Sequence, residues 1–194
     1  MQNQIRSIIQ ASIDTKIKML ADSRFIEKIQ QCCALIVDAF NNEKKLLFCG
    51  NGGSAADAQH LAAEFTGRFY INRKALPAEA LHTNSSYMTA VANDYGYDHV
   101  YSRMVEGIGH PGDILIALST SGNSPNILNA IQAAKDKGMI IIGFTGETGG
   151  KLKDICHVLM NVPSTDTPRI QEAHIMTGHI ICQLVEAQYF NTDD

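Results

Sequence analysis

The sequence predicts an α/β fold: a three-layer, doubly wound sandwich around a roughly five-stranded parallel sheet, with amino-terminal helices and a long carboxyl-terminal helix. Three observations carry this. Short, continuously apolar runs recur along the chain, as strands buried on both faces require. Segments of helical periodicity alternate with them, as parallel crossovers require. The 194 residues, 45% of them hydrophobic, suit one domain with a substantial core, so residues 1–194 are read as a single domain with 1–42 as a helical extension.

Two amphipathic helices open the chain. Gln2 to Leu20 carries Ile5, Ile9, Ile13, Ile17 and Leu20 at helical spacing, and Phe25 to Phe40 repeats the pattern with Ile26, Ile29, Leu35, Ile36 and Ala39. Lys44 to Gly50 then reads as a strand that runs into the turn-forming Gly50-Asn51-Gly52-Gly53. Ser54 is the expected N-cap of a helix over Ala55 to Thr66. A strand near Ala78 to His82, helical stretches from Ser85 to Glu106, and the strand Asp113 to Leu118 follow. Ser124 and Pro125 suit the start of a helix reaching Lys137, because Pro lacks only an N–H that has no partner there. Met139 to Phe144 is the next strand, Lys151 to Ile155 a short helix, and His157 to Val162 the last strand. The helix Arg169 to Tyr189 is apolar on more than one face, through Ile170, Ile175, Met176, Ile180, Ile181, Leu184 and Val185, and so needs covering on several sides. In a domain this small, that helix and the amino-terminal pair are expected to pack against other subunits.

The formal charge of −4, with Lys and Arg scattered, leaves no basic surface for nucleic acid. No apolar run approaches a membrane span, and Met1 to Gln10 lacks a signal-peptide core, so a cytoplasmic protein is expected. Cys32, Cys33, Cys49, Cys156 and Cys182 form no C-x-x-C pair and suggest neither disulfides nor a thiolate zinc site. Cys49 lies beside a glycine-rich loop, yet buried and structural is the favoured reading.

In doubly wound sheets, ligands sit beyond the carboxyl ends of strands, where helix amino termini point. Ser119-Thr120-Ser121-Gly122-Asn123-Ser124 follows a strand and ends at a helix start, so free N–H groups and hydroxyls suit an anion such as phosphate. Taken alone it also reads as a loop with a capping serine. His60 and Glu64 are four apart on one helical face, and Gln171 and His179 are eight apart, about 80° around the axis, on one side of another helix. The two pairs can form one site or remain ordinary surface groups. Asn93-Asp94 can bind sugar hydroxyls or cap a turn, and Arg68 can neighbour an anion or pair at the surface.

The loop Ser119 to Ser124, together with C-G-N-G-G-S at Cys49 to Ser54, resembles the sugar isomerase (SIS) domain family. The ordered set D-A-Q-H-L-A-A-E at Asp57 to Glu64, T-G-R at Thr66 to Arg68, A-N-D at Ala92 to Asp94 and R-I-Q-E-A-H at Arg169 to His174 extends the resemblance over nearly the whole chain, to the bacterial phosphoheptose isomerases. It implies a flavodoxin-like sheet and conversion of D-sedoheptulose 7-phosphate to D-glycero-D-manno-heptose 7-phosphate through an enediol, the first step towards ADP-heptose for lipopolysaccharide core or related glycans. By residue-by-residue resemblance, His60, Glu64, Gln171 and His179 hold one zinc ion per subunit, although oxygen and imidazole ligands without thiolate also suit nickel or manganese, and Glu64 and His179 act as acid/base catalysts. Asn51, Gly52, Gly53, Glu64, Asn93, Asp94, Ser119, Thr120, Ser121, Ser124 and Gln171 are the implied substrate contacts. His82, His99, His110, His157 and His174 match no such role.

The resemblance further implies a homotetramer with shared sites. Two rivals stand beside it. One is a non-catalytic SIS protein of the kind that associates with the replication initiator, which lacks residues of the metal site; the other acts on a different ketose phosphate. The presence of Glu64 and its implied partners favours the enzyme, while the end of the chain at Asp194 leaves no room for the regulatory domains of sugar-phosphate sensors.

Overall fold

The computed structural model describes residues 1–191. Five strands, β1 (Leu46–Gly50), β2 (Ala78–Ala80), β3 (Ile114–Leu118), β4 (Ile140–Thr145) and β5 (Val158–Asn161), form one sheet in the order β2-β1-β3-β4-β5. Every neighbouring pair is parallel. This is the flavodoxin-like order, and the winding direction reverses between β1 and β3. The crevice at that reversal is where the fold places ligands.

Among the described residues there are seven α-helices, α1 (Gln2–Ala21), α2 (Ser23–Asn41), α3 (Gly53–Thr66), α4 (Ser85–Tyr95), α5 (Val100–Ile108), α6 (Pro125–Asp136) and α7 (Thr167–Phe190), of which α1 packs on α2 and α7 rather than on the sheet. The strands alternate their apolar side chains between two cores. Leu46, Phe48, Ile116, Leu118 and Phe144 face α2, α3 and α7, whereas Leu47, Cys49, Leu115, Ala117 and Ile141 face α5 and α6. All five residues of β1 and of β3 are buried, which explains their unbroken apolar character. No described helix is long and apolar enough to cross a membrane.

The elements match the sequence expectations except at several boundaries. The helix after β1 begins at Gly53 with Gly52 as its N-cap, so Ser54 is not the cap but lies buried inside the first turn. The Ser85 to Glu106 stretch divides into α4 and α5 around Gly96 and a 3-10 turn at Tyr97–His99, because Gly96 adopts φ +87. The short helix expected at Lys151 to Ile155 is a 3-10 turn at Gly150–Leu152. Cys49 is fully buried, and burial drives its thiol pKa far upward, which removes it as a nucleophile.

The α1 helix buries little. Only Thr15 and Met19 are enclosed, while Ile5, Ile8, Ile9, Ile13 and Ile17 are each at least 44% exposed along it. A stripe of this kind marks an interaction surface.

Candidate active site

The turns after β1 and β3 meet at the crevice. A cavity of about 310 Å³ opens there, lined by Asn51, Gly52, Gly53, Ser54, Leu118, Ser119, Thr120, Ser124, Thr167 and Gln171. Three helices begin at its wall: α3 at Gly53, α6 after Ser124, and α7 at Thr167. None of the three has a side-chain hydrogen bond capping its amino terminus. Their first-turn N–H groups and converging dipoles therefore favour a bound anion. Ser124 precedes Pro125 as expected, but its hydroxyl meets the Ser119 hydroxyl at 3.1 Å rather than capping the helix. Both hydroxyls line the cavity as potential donors.

One buried amide ties these loops together. Asn126, 2% exposed, exchanges two hydrogen bonds with Asn51: Asn51 Nδ2 donates to Asn126 Oδ1 at 2.9 Å, and Asn126 Nδ2 donates to Asn51 Oδ1 at 2.8 Å. Tyr97 Oη donates to the same Asn51 oxygen at 3.3 Å, and the Tyr101 hydroxyl donates to the Gly50 carbonyl. Asn126 and Thr167 escaped the sequence reading. A polar residue in a helix's first turn looks solvent-facing until its partner, 75 residues away, is known.

A titratable cluster lies further along α3. His60 Nε2 is 2.9 Å from Glu64 Oε1, and His179 Nε2 on α7 is 3.3 Å from His60 Nε2. One ligand atom from each residue lies within 4.8 Å of the others. Helices α3 and α7 touch here because residue 178 is glycine; a Cβ would stand 2.5 Å from Leu61 Cδ2. Burial, and then the neighbouring His60, depress the His179 pKa, with Glu64 opposing.

The donor chemistry of this cluster fits zinc. Tetrahedral zinc with bonds of about 2.0–2.2 Å separates its donors by roughly 3.3–3.6 Å, and two imidazoles with one carboxylate are a ligand set found in catalytic zinc sites. The His60–His179 spacing is already of that size.

The remaining candidates divide by position. Gln171 lies against Gly53 in the cavity wall, apart from its helix neighbour His179 by eight residues, or about 12 Å of helical rise. Ser121 lines an adjoining groove with Thr120, Asn123 and Thr167 rather than the cavity itself. Asn93 and Asp94 sit exposed at the end of α4, Asn93 Nδ2 donating to Asp94 Oδ1 at 2.8 Å, and they do not line the cavity. Arg68 is exposed and donates to the Tyr70 carbonyl at 3.4 Å. His174 is a buried structural residue bonded to the Thr145 carbonyl at 3.2 Å.

The family model of the SIS domain matches residues 11–146. A phosphoheptose isomerase of Clostridium acetobutylicum is 51% identical over 98% of this chain and 97% of its own length. That of Rhodospirillum rubrum is 50% identical over 96% and 97%. The solved structure of the Neisseria gonorrhoeae phosphoheptose isomerase superposes with a TM-score of 0.90 at 42% identity, covering 96% of this chain and 98% of that one. The Francisella tularensis phosphoheptose isomerase also superposes at 0.90, with 34% identity over 95% and 97%. With the cavity at the reversal of the sheet and the paired helices beside it, these matches establish that the chain belongs to the phosphoheptose isomerases of the SIS-domain family.

Proposed function

We propose that the chain interconverts D-sedoheptulose 7-phosphate and D-glycero-D-manno-heptose 7-phosphate, the entry to ADP-heptose, as a cytoplasmic homotetramer. The observation that carries the reading is the cavity walled by three uncapped helix amino termini, set on the same two helices that present Glu64 and His179. The cavity takes the phosphate through the N–H groups of those helices and the hydroxyls of Ser119, Thr120 and Ser124, with Ser121 at its edge. Asn51, Gly52, Gly53 and Gln171, which line the cavity, bind the rest of the sugar, and Asn93 and Asp94, which lie outside it, are the further contacts that the family resemblance suggests. That a relative at 51% identity is named an isomerase disfavours the binding-only reading.

In the proposed chemistry, Glu64 moves the carbon-bound proton between C1 and C2, and His179 handles the oxygen proton as the enediol forms and collapses. A zinc ion held by His60, Glu64 and His179, with Gln171 as the further donor the family resemblance suggests, would polarise the substrate carbonyl when bound. The exposed apolar stripe of α1 supports the reading of residues 1–42 as the assembly surface.

Glu64→Gln tests the reading. The variant keeps the fold and binds sugar phosphate, while kcat falls by roughly 10²–10⁴-fold. Near-normal turnover of sedoheptulose 7-phosphate by this variant would remove Glu64 from the chemistry.

A further inference from the structure

Far down α7, one carboxylate is buried beside the apolar Ile181, Cys182 and Val185. Glu186 is 3% exposed, and its oxygens are fully engaged. Oε1 accepts the backbone N–H groups of Tyr70 at 2.7 Å and Ile71 at 3.0 Å; Oε2 accepts that of Phe69 at 3.0 Å and Nε of Arg73 at 2.7 Å. The Arg73 guanidinium is equally enclosed, its side chain 3% exposed. Its Nη2 donates to the Glu64 carbonyl at 2.8 Å, and its Nη1 donates to the carbonyls of Phe65 at 2.7 Å and Gly67 at 3.1 Å.

These contacts lead to both members of the acid/base pair. At the carboxyl end of α3 the last carbonyls lack helical partners, and Arg73 supplies them with a charged donor, fixing the turn that carries Glu64. The N–H of Phe69 is held by Glu186, and the Phe69 ring packs on the His179 imidazole with centroids 5.6 Å apart. The Glu186 carboxyl is kept ionised: burial opposes the charge, but the three backbone donors and Arg73 outweigh it and hold its pKa below the usual range.

We propose that Glu186 and Arg73 are positioning residues, a buried ion pair that sets the Glu64 carboxylate and the His179 imidazole in register. The inference rests on Glu64 and His179 being the reacting pair. Removing one partner of a buried ion pair leaves the other uncompensated, whereas replacing both by apolar groups removes the stranded charge and leaves only the backbone groups they held without partners. Positioning and stability can therefore be separated by two variants.

The test compares wild type, Glu186→Gln and the double variant Arg73→Met/Glu186→Leu by thermal unfolding, by kcat and KM for sedoheptulose 7-phosphate, and by calorimetric titration of the metal-stripped protein with Zn²⁺. In Glu186→Gln, kcat falls about 10–100-fold with KM within twofold, and zinc affinity falls about tenfold or more. In the double variant the stranded Arg73 charge is gone, so the melting temperature lies above that of Glu186→Gln, while kcat and zinc affinity stay low. The proposal is overturned if kcat and zinc affinity are unchanged in folded Glu186→Gln, or if both return with stability in the double variant. If wild type binds zinc but leaves sedoheptulose 7-phosphate unchanged, the function is wrong, and the zinc affinities alone decide the positioning role. If wild type neither binds zinc nor turns the sugar over, the proposal falls with the function.

Discussion

Replacing Gly53 by alanine separates the work of the cavity from the stability of the fold. Gly53 is the first residue of α3, and its φ lies outside the left-handed region, so the backbone accepts a side chain there. Alanine is also the better helix former. The obstacle is Gln171: the new methyl would stand 2.7 Å from its Nε2, 2.8 Å from Oε1 and 2.9 Å from Cδ, whereas ordinary contacts begin at 3.4 Å. The amide must retreat by at least 3.4 − 2.7 = 0.7 Å. Because Gln171 is a flexible side chain, the fold yields cheaply, but a group proposed to hold the substrate moves.

A misplacement of about 1 Å in a positioned group lowers rates by up to about 10²-fold. Gly53→Ala should therefore lower kcat/KM for sedoheptulose 7-phosphate by about 10–10²-fold, or about 1.4–2.7 kcal/mol in the barrier. Its melting temperature should move by no more than about 2–4 °C, the equivalent of about 1 kcal/mol for a chain of this size. Product formation by chromatography and differential scanning calorimetry measure the two quantities. Gly52→Ala is the contrasting control: no atom lies within 4 Å of its Cβ, but φ is +55, so it should lose about 1–3 kcal/mol of stability through backbone strain. Wild-type kcat/KM in Gly53→Ala, or unfolding of that variant, would refute the reasoning.

Three further outcomes follow from the structure. Asn126→Ala leaves Asn51 without its reciprocal amide, which should destabilise by about 1–3 kcal/mol and raise KM as the two loops separate; an unchanged KM would assign the pair to stability alone. The His174 pKa is about 4, lowered from 6.5 by burial, its Nε2–H donating to the Thr145 carbonyl while Nδ1 receives no hydrogen bond from the described residues. The unfolded chain thus binds more protons than the native one between pH 6.5 and about 4, so stability is full above that window and falls by about 3 kcal/mol as pH drops through it. His174→Gln should flatten that slope, and an unaltered pH dependence of melting would exclude His174 as its source. Ile9→Glu combined with Ile13→Glu charges the exposed stripe of α1, 55% and 44% exposed, and should shrink the assembly in size-exclusion chromatography; unchanged elution would take α1 out of the interface.

Local chemistry decides which features can be read from the chain alone. The strands are legible because burial on both faces demands unbroken apolar runs such as Leu46 to Cys49 and Ile114 to Leu118. The start of α3 is not, since a serine beside a glycine turn looks like a cap whether or not the helix has already begun. The His60–Glu64 pair can be read from its four-residue spacing, whereas its meeting with His179 depends on a close α3–α7 contact made 119 residues apart. Glu186 is the least legible, because a carboxylate on a long helix reads as a solvent-facing group. Only the fold brings three backbone N–H groups and Arg73 to it.

The vertical arrangement of the site along α3 bears on sugar length. Gly53 borders the anion cavity, while His60 and Glu64 lie seven and eleven residues further on, about 10 and 16 Å of helical rise. Side chains lean towards the helix amino terminus, so the cluster reaches back towards the cavity but does not enter it. On the proposed function, a ligand anchored by its phosphate extends along the helix to bring its carbonyl to Glu64 and His179. Five- and six-carbon ketose phosphates share the anchor but fall short of the reacting pair. They should inhibit competitively, with phosphate-dependent affinity, and show losses in kcat rather than in KM relative to sedoheptulose 7-phosphate. Equal kcat for a six-carbon ketose phosphate would show that the helix spacing does not measure the sugar.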